Sequence, residues 1–189
     1  MSADARLAEE KAQLRKRCIA ARDTATDLAR AAAATRLYAR LMHLRGHTIA
    51  GYVPIGSEAD PTVAMRTLAA DNRICVPVVT AKGAALRFRE WTPGCAMENG
   101  PFDVPVPVDG SWRVPDVVIV PMVGFDVDGG RLGYGGGFYD RTLPGLGDAL
   151  IVGLALEAQR LPRVPADATD VPLPWIVTER GVFGADATG

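Results

Sequence analysis

The spacing of apolar residues predicts two helices in the first quarter of the chain. Apolar positions recur at helical intervals over residues 4–22, and Asp4 is suited to cap the start of this helix. A second helix, rich in alanine, is predicted from about residue 27 to residue 45, with Gly46 directly after its end. The chain is therefore expected to begin with a pair of helices.

The remaining pattern predicts strands that alternate with shorter helices. Asp60 followed by Pro61 is typical of a helix start, and a further helix is predicted at 138–143. Residues 92–114 are rich in proline and glycine and are expected to run over the surface. The run at 116–123 is almost wholly apolar, which is typical of a strand buried on both faces. The predicted strands lie at residues 48–55, 73–79, 84–91, 116–123, 150–156 and 175–178.

This alternation predicts an α/β layered fold with a largely parallel sheet. The length of 189 residues fits one domain covering residues 1–189, with about residues 184–189 expected to form a flexible tail. In sheets of this kind, ligands bind beyond the carboxyl ends of the strands. A site is therefore expected in the loops after Pro54 and after Val123.

Charge and cysteine content narrow the class of protein. A formal net charge of -1 gives no electrostatic reason to expect nucleic acid or an acidic membrane as the main partner. Cys18, Cys75 and Cys95 lie far apart, which argues against a disulfide framework or a structural zinc site. The N-terminus is acidic and polar, and no apolar run approaches the roughly 20 residues of a spanning helix. We therefore expect a cytoplasmic protein, taken to be a monomer.

The strongest local signal is the glycine-rich stretch at residues 129–140, which follows the buried strand and opens a helix. Glycine permits positive φ and close approach to a ligand, and successive N–H groups beside a helix start can bind an anion. Arg131 would add a charged fork, although no P-loop or GxGxxG pattern is present. Phosphate binding is one interpretation and a flexible turn is the other. A hairpin turn accounts for Gly129 and Gly130 but not for the glycines at 135–137.

Two basic residues of the first predicted helix are candidates for the same site. Lys11 and Arg15 lie four residues apart, at the margin of the apolar stripe. Their charged ends could reach into a cleft beside the helix. Alternatively, their stems could cover the edge of the core while the charges stay in water, and the spacing by itself favours that second interpretation.

Four further residues each have a functional and a structural interpretation. Glu58 follows the strand ending at Pro54 and has no evident local duty, so a ligand contact is plausible. Asp140 lies in the first turn of a helix, where the helix dipole favours an acid, but beside a triphosphate it could hold Mg²⁺. Asp170 is either a turn former before a proline or a metal ligand. Trp91 either stacks on a flat ligand or packs as a hairpin aromatic.

Six segments then carry a resemblance that covers nearly the whole chain. They are residues 11–15 (KAQLR), 49–60, 86–91 (LRFREW), 121–126 (PMVGFD) with 131–140 (RLGYGGGFYD), 153–159 (GLALEAQ) and 170–179 (DVPLPWIVTE). In this order they resemble the 5-formyltetrahydrofolate cyclo-ligase family, also called 5,10-methenyltetrahydrofolate synthetase. One departure is that many relatives carry His-Asp where this chain has Thr169-Asp170, so the aspartate is kept and the histidine is not.

The resemblance implies an enzyme that forms 5,10-methenyltetrahydrofolate, ADP and phosphate from two small-molecule substrates, 5-formyltetrahydrofolate and Mg-ATP. It implies a three-layer αβα domain of the NagB/RpiA/CoA-transferase-like type. Mg²⁺ would lie at Asp140 and Asp170, and Val53 and Glu58 would contact the folate, with Trp91 as a further candidate. The implied ATP-binding residues are Lys11, Arg15, Arg131, Leu132, Gly133, Tyr134, Gly135, Gly136, Gly137, Phe138 and Tyr139.

The implied reaction needs no protein nucleophile, which agrees with the lack of a recognisable catalytic triad in the sequence. Phosphorylation of the formyl oxygen turns a poor leaving group into a good one, which requires positioning and charge neutralisation more than a protein nucleophile. No Ser-His-Asp or Cys-His order is evident, and no general base can be named. Two rival interpretations remain: a non-catalytic module that binds folate or nucleotide, and a sugar-phosphate isomerase or CoA-transferase-like enzyme on a related scaffold.

Overall fold

A computed structural model of the chain describes residues 2–184. Apart from Gly184, the tail expected at about 184–189 lies outside the described residues. The α-helices are α1 (Ala3–Asp23), α2 (Asp27–Leu41), α3 (Thr62–Leu68) and α4 (Phe138–Thr142). The strands are β1 (Thr48–Ala50), β2 (Arg73–Val78), β3 (Arg87–Glu90), β4 (Met97–Asn99), β5 (Pro105–Pro107), β6 (Trp112–Arg113), β7 (Val117–Pro121), β8 (Gly124–Phe125), β9 (Arg131–Leu132), β10 (Leu150–Leu154), β11 (Trp175–Val177) and β12 (Val182–Phe183).

An eight-stranded sheet organises the fold, in the order β12-β11-β10-β7-β1-β2-β3-β6. The central strands β11, β10, β7, β1 and β2 run parallel, and β12, β3 and β6 extend the two edges in antiparallel pairing. Two small antiparallel pairs, β4–β5 and β8–β9, lie outside this sheet. The predicted α/β class with a large, mostly parallel central sheet is confirmed.

The sheet is covered on both faces, and β7 shows why its sequence is apolar throughout. Val117 and Ile119 point into the cluster formed with α2 and α3, whereas Val118 and Val120 join the cluster on the opposite face. Side chains of a strand alternate between faces, so a strand covered on both sides needs apolar residues at every position. On the second face the cover includes Leu143 of the 3₁₀ turn after α4.

Helix α1 packs across the β8–β9 hairpin. Cys18 of α1 lies in one buried cluster with Val123, Leu132 and Leu161. This packing sets the helix beside the glycine-rich stretch that follows β9. It therefore brings the face of α1 that carries Lys11 and Arg15 toward the predicted site.

Several element ends differ from the predictions. β1 ends at Ala50 and not near residue 55, because the following residues leave the sheet and form the wall of a cavity. α2 ends at Leu41, short of the predicted residue 45. The cap of α1 is Ser2 and not Asp4, because the Ser2 hydroxyl accepts the N–H of Ala5 at 3.2 Å.

Other ends are close to expectation. α3 begins just after Pro61, which is its N-cap, one position later than the Asp60 cap that the sequence suggests. The Asp60 carboxylate still accepts the N–H of Thr62 at 2.8 Å. Residues 92–114 form more than a surface excursion, because they contain the β4–β5 hairpin and β6. The strand β12 had no counterpart in the sequence pattern.

Candidate active site

A cavity of about 1200 Å³ opens where β1, β2 and β7 end. Its wall includes Tyr52 and Val53 just after β1, Val79 just after β2, and Pro121 at the end of β7. Sites that hold one small ligand usually measure about 300–1,000 Å³. This cavity therefore lies where the sheet topology predicts a site, and it has room for two ligands.

The cavity brings together residues from distant parts of the chain. With the exception of Trp91, every predicted site residue lines it: Lys11, Arg15, Val53, Glu58, Arg131, Leu132, Gly133, Tyr134, Gly135, Gly136, Gly137, Phe138, Tyr139, Asp140 and Asp170. The α1 helix, the β1 turn (residues 52–58), the glycine loop (residues 133–137) and the segment around Asp170 thus converge on one space.

Trp91 does not belong to this lining. Its side chain is only 8% exposed and packs in the core cluster that contains α2 and α3. Its backbone N–H donates to the carbonyl of Ile74 at 2.8 Å, which keeps it beside β2. We therefore assign Trp91 to packing, and the predicted stacking on a folate is corrected.

The glycine loop has backbone hydrogen-bonding groups that the protein does not use. Within residues 2–184, no N–H group of residues 133–137 donates to a protein acceptor. Gly135 and Gly137 have φ values of +96° and +62°, a region that side chains disfavour. Arg15 Nε donates to the carbonyl of Gly133 at 2.8 Å and so ties the loop to α1. Unpaired N–H groups in a cavity wall form a concave anion site.

Lys11 is held at the rim of the cavity by two carboxylates. Its Nζ lies 2.9 Å from Asp167 Oδ2 and 2.5 Å from Asp170 Oδ2. Burial lowers the pKa of Lys11, but the hydrogen bonds to Asp170 and Asp167 outweigh it, so the pKa is raised and the ammonium stays charged at neutral pH. The ammonium of Lys11 thus contacts residues 167–170. The helix spacing had instead favoured a side chain whose charge stays in water.

Arg131 and Asp140 form a second ion pair in the cavity. Arg131 Nη2 donates to Asp140 Oδ1, and the Arg131 side chain is only 5% exposed. Arg131 Nε is buried and has no hydrogen-bond partner among the described residues. A buried donor without a partner is costly in a protein, so a bound acceptor would stabilise it.

The carboxylates at this end fit a magnesium ion carried by a phosphate ligand. Asp140 Oδ1 also accepts the N–H of Val171 at 3.4 Å, which brings Asp140 next to the residue that follows Asp170. In the described residues, no group of three or more His, Cys, Asp or Glu side chains could form a metal cage. Mg²⁺ commonly binds through one or two carboxylates plus substrate phosphates, so two aspartates suit it in that form.

The β1 turn supplies a more apolar end of the cavity with one buried acid. Glu58 is 5% exposed, and its Oε2 accepts the N–H of Ile55 at 2.7 Å. Its Oε1 has no hydrogen-bond partner among the described residues, and burial raises the pKa of the carboxyl. The buried hydroxyl of Tyr139 also lacks a partner there, and burial raises its pKa. This end can therefore accept and donate hydrogen bonds to a flat, partly polar ligand.

Sequence reasoning missed several residues of the site region, among them Asp167, Tyr52, Phe102 and Arg22. Asp167 pairs with Lys11, Tyr52 and Phe102 line the cavity, and Arg22 is buried behind it. Arg22 carried a signal, because it lies eleven positions after Lys11 and hence on the same helix face. The others carried none, because their role depends on contacts between segments far apart in the chain.

Comparison with known sequences shows the family of this chain. The sequence model of the 5-formyltetrahydrofolate cyclo-ligase family matches residues 7–179. The 5-formyltetrahydrofolate cyclo-ligase of Mycolicibacterium smegmatis is 31% identical over 185 residues, which cover 91% of this chain and 95% of that protein. The Escherichia coli K12 protein of the same name is 33% identical over 160 residues, or 80% of this chain and 88% of that protein.

Solved structures of 5,10-methenyltetrahydrofolate synthetases have a similar fold. The 5,10-methenyltetrahydrofolate synthetase of Aquifex aeolicus superposes with a TM-score of 0.77 at 29% identity, over 93% of each chain. The synthetase of Mycoplasma pneumoniae gives a TM-score of 0.69 over 89% of this chain and 98% of that one, at 24% identity, which speaks to the fold alone. The chain is thus an enzyme of the ligase class. More narrowly, it belongs to the 5-formyltetrahydrofolate cyclo-ligase family.

Proposed function

We propose that this protein converts 5-formyltetrahydrofolate and ATP into 5,10-methenyltetrahydrofolate, ADP and phosphate. The observation that carries the proposal is a cavity large enough for two ligands, with a different chemistry at each end. One end has the unpaired N–H groups of the glycine loop beside Lys11 and Arg131, which suits a triphosphate. The other has the β1 turn with buried Glu58, which suits a folate.

In this proposal, the two ion pairs of the site, Lys11 with Asp170 and Arg131 with Asp140, exchange partners when Mg-ATP binds. Lys11 leaves Asp170 and Arg131 leaves Asp140, so that both cations can contact phosphate oxygens. The two aspartates then become available to Mg²⁺, which, when bound, neutralises charge on the phosphates. Each buried charge keeps a partner in both states, which avoids the cost of leaving one unpaired.

The residues then serve mainly to align the two substrates. The formyl oxygen attacks the γ-phosphorus in line and ADP departs, which leaves the formyl oxygen phosphorylated and the formyl carbon activated. N10 of the folate attacks that carbon, phosphate leaves with the oxygen, and N10 gives up its proton. Lys11, Arg131 and the loop N–H groups hold the phosphates, while Val53 and Glu58 contact the folate. Catalysis by alignment and charge neutralisation needs no protein nucleophile.

The test is a reaction of purified protein with Mg-ATP and 5-formyltetrahydrofolate. We expect the methenyl chromophore to appear in the near ultraviolet and ADP to be released only when the folate is present. ADP release without folate would indicate a simple ATPase. Binding of both ligands without chromophore or ADP would leave the non-catalytic binding module as the better interpretation.

The domain count, fold type, oligomeric state and location of the protein are also proposals. We infer a single domain, a fold of the NagB/RpiA/CoA-transferase-like type, and a monomeric cytoplasmic protein that acts on small molecules. The near-zero net charge supports the absence of nucleic-acid and acidic membrane partners. No helix within residues 2–184 is long and apolar enough to cross a membrane.

A further inference from the structure

Arg22 lies behind the cavity, outside its lining, and yet contacts both of its ligand-binding segments. Its side chain is 3% exposed. Nε donates to Ser57 Oγ of the β1 turn at 3.0 Å, and Nη1 donates to the Tyr134 hydroxyl of the glycine loop at 3.0 Å. Nη1 also lies 3.9 Å from the otherwise unpaired Oε1 of Glu58. One guanidinium therefore joins two loops that come from opposite halves of the chain.

The surroundings of Arg22 hold it in this position. Arg30 Nη2 donates to the backbone carbonyl of Arg22 at 3.0 Å, and Arg30 Nη1 donates to the carbonyl of Ser57. The guanidinium carbon also lies 5.9 Å from the centre of the Tyr134 ring. Arg22 is thus part of a hydrogen-bond network anchored in α1 and α2, while the N–H groups of the glycine loop that it contacts have no protein acceptor among the described residues.

We propose that Arg22 is a positioning residue that couples the two ligand sites by fixing the glycine loop relative to the β1 turn. The identity of the two ligands rests on the proposed function. A folate against Glu58 would hold the β1 turn on the Arg22 fork, and the fork would hold Tyr134 and the loop that receives the triphosphate. Binding of either ligand then lowers the cost of ordering the loop for the other, which is positive cooperativity.

Arg22→Lys separates positioning from simple charge. Lysine keeps the positive charge but has a single ammonium, which cannot donate in two fixed directions as the guanidinium fork does. Arg17→Lys is the matched control, because Arg17 is an exposed arginine on the same helix. Tyr134→Phe is the second variant. It removes only the hydroxyl that Arg22 contacts, on a residue that is 47% exposed, so the fold is expected to tolerate it.

The measurement is calorimetric binding of the β,γ-imido analogue of ATP, with Mg²⁺, in the absence and presence of 5-formyltetrahydrofolate. We expect the folate to tighten the analogue by about 5- to 150-fold in wild type and Arg17→Lys. In Arg22→Lys and Tyr134→Phe this tightening should be largely lost, and this loss should exceed any change in the affinity for the analogue alone. Undiminished tightening in either variant overturns the proposal.

A ligand-free measurement keeps this inference distinct from the proposed function. NMR order parameters of the backbone at residues 55–58 and 133–137 should be lower in Arg22→Lys than in wild type and Arg17→Lys, because both segments lose a fixed contact. If wild type binds neither ligand, the proposed function fails, but lower order parameters in both segments still support the positioning role. Unchanged order parameters in the two segments overturn it, whatever the ligands are.

Discussion

Two glycine-containing turns follow one another along the chain and use their backbone groups in opposite ways. In the Asp126 turn (residues 126–130), the Asp126 carboxylate accepts N–H groups of Asp128, Gly130 and Val164, and Asp126 N–H donates to the carbonyl of Gly130. In the glycine loop, only two residues further on, no N–H group has a protein acceptor among the described residues. The first turn satisfies most of its own N–H groups, whereas the second leaves its N–H groups open to water or a ligand.

Because the two turns differ in their hydrogen bonding and not in their glycine content, glycine content alone does not identify a binding loop. Both turns use positive φ, at Gly129 in one and at Gly135 and Gly137 in the other. What separates them is where the hydrogen bonds go. In the Asp126 turn they go to acceptors of the protein. The glycine-loop residues are exposed or half-buried, so their N–H groups can bond to water or to an anion at the cavity wall.

The largest effect is expected at Asp140, which follows the glycine loop and tests whether that loop serves a phosphate site. We expect Asp140→Asn to stay folded, because a first-turn acid contributes only about 0.3–1 kcal/mol through the helix dipole. If Asp140 holds Mg²⁺ at the phosphates, the turnover should fall by about 100-fold or more, with partial recovery at high Mg²⁺. Asp170→Asn should behave similarly but more mildly. A magnesium titration of the initial rate, with folate binding as the control, tests this; an unchanged rate and magnesium dependence would return Asp140 to a capping role.

Arg131 lies between the two turns, in β9, and should belong functionally to the second. Its guanidinium contacts with phosphate are charge-assisted, each contributing about 1.5–3 kcal/mol, or roughly 10- to 150-fold in affinity. Arg131→Ala should therefore weaken ATP by this amount and folate far less. Calorimetry with each ligand distinguishes the two effects. Equal losses for ATP and folate would mean that Arg131 is structural and that the phosphate assignment is wrong.

The converse result is expected in the Asp126 turn. Asp126→Asn keeps the shape of a side chain that is 4% exposed but replaces one acceptor oxygen with an NH₂ group. A buried donor then loses its acceptor, which costs about 1–3 kcal/mol. We expect denaturant unfolding to show this loss while ATP affinity and turnover per folded molecule stay near wild type. A folded, stable variant that has lost ATP binding would contradict the division between the two turns.

The sequence predicted the elements whose role is local and missed those that depend on distant partners. β7 was predicted because burial on both faces leaves an apolar residue at every position. The Asp126 turn was indicated by the glycines at 129 and 130, which follow Asp128. β1 was predicted too long, because residues 51–55 retain strand-like composition while their backbone leaves the sheet to line the cavity.

The site residues show the same limit more sharply. Helix spacing favoured a Lys11 whose charge stays in water. It could not reveal the partner Asp167, because that residue lies 156 positions away in the chain. Trp91 had two equal interpretations because an alternating strand looks the same whether its aromatic residue faces a ligand or the core. Only the assembled sheet decides between them. The family resemblance did group residues that line one cavity, because motif order carries long-range information that periodicity does not.

The finest test of the comparison uses one added methyl group in each turn. Gly135 has φ +96°, so Gly135→Ala is disfavoured by about 1–2 kcal/mol. Because the glycine loop is not held by its own hydrogen bonds, we expect it to relieve this strain by moving. Melting temperature should then change little, while ATP affinity falls by about 5- to 30-fold. Gly145→Ala is the control, since its added Cβ would meet nothing within 4 Å and its φ is not positive.

In the Asp126 turn the same change should have the opposite effect. A Cβ on Gly130 would lie 2.4 Å from Asp126 Oδ2, and the turn cannot move without breaking the hydrogen bonds of that carboxylate. Gly130→Ala should therefore lower the melting temperature and leave the ATP affinity of the folded fraction unchanged. Melting curves and ATP titrations of the three alanine variants form one experiment. If Gly135→Ala loses stability and Gly130→Ala loses ATP binding, the roles given to the two turns are reversed, and the unpaired N–H groups of the glycine loop do not mark the phosphate site.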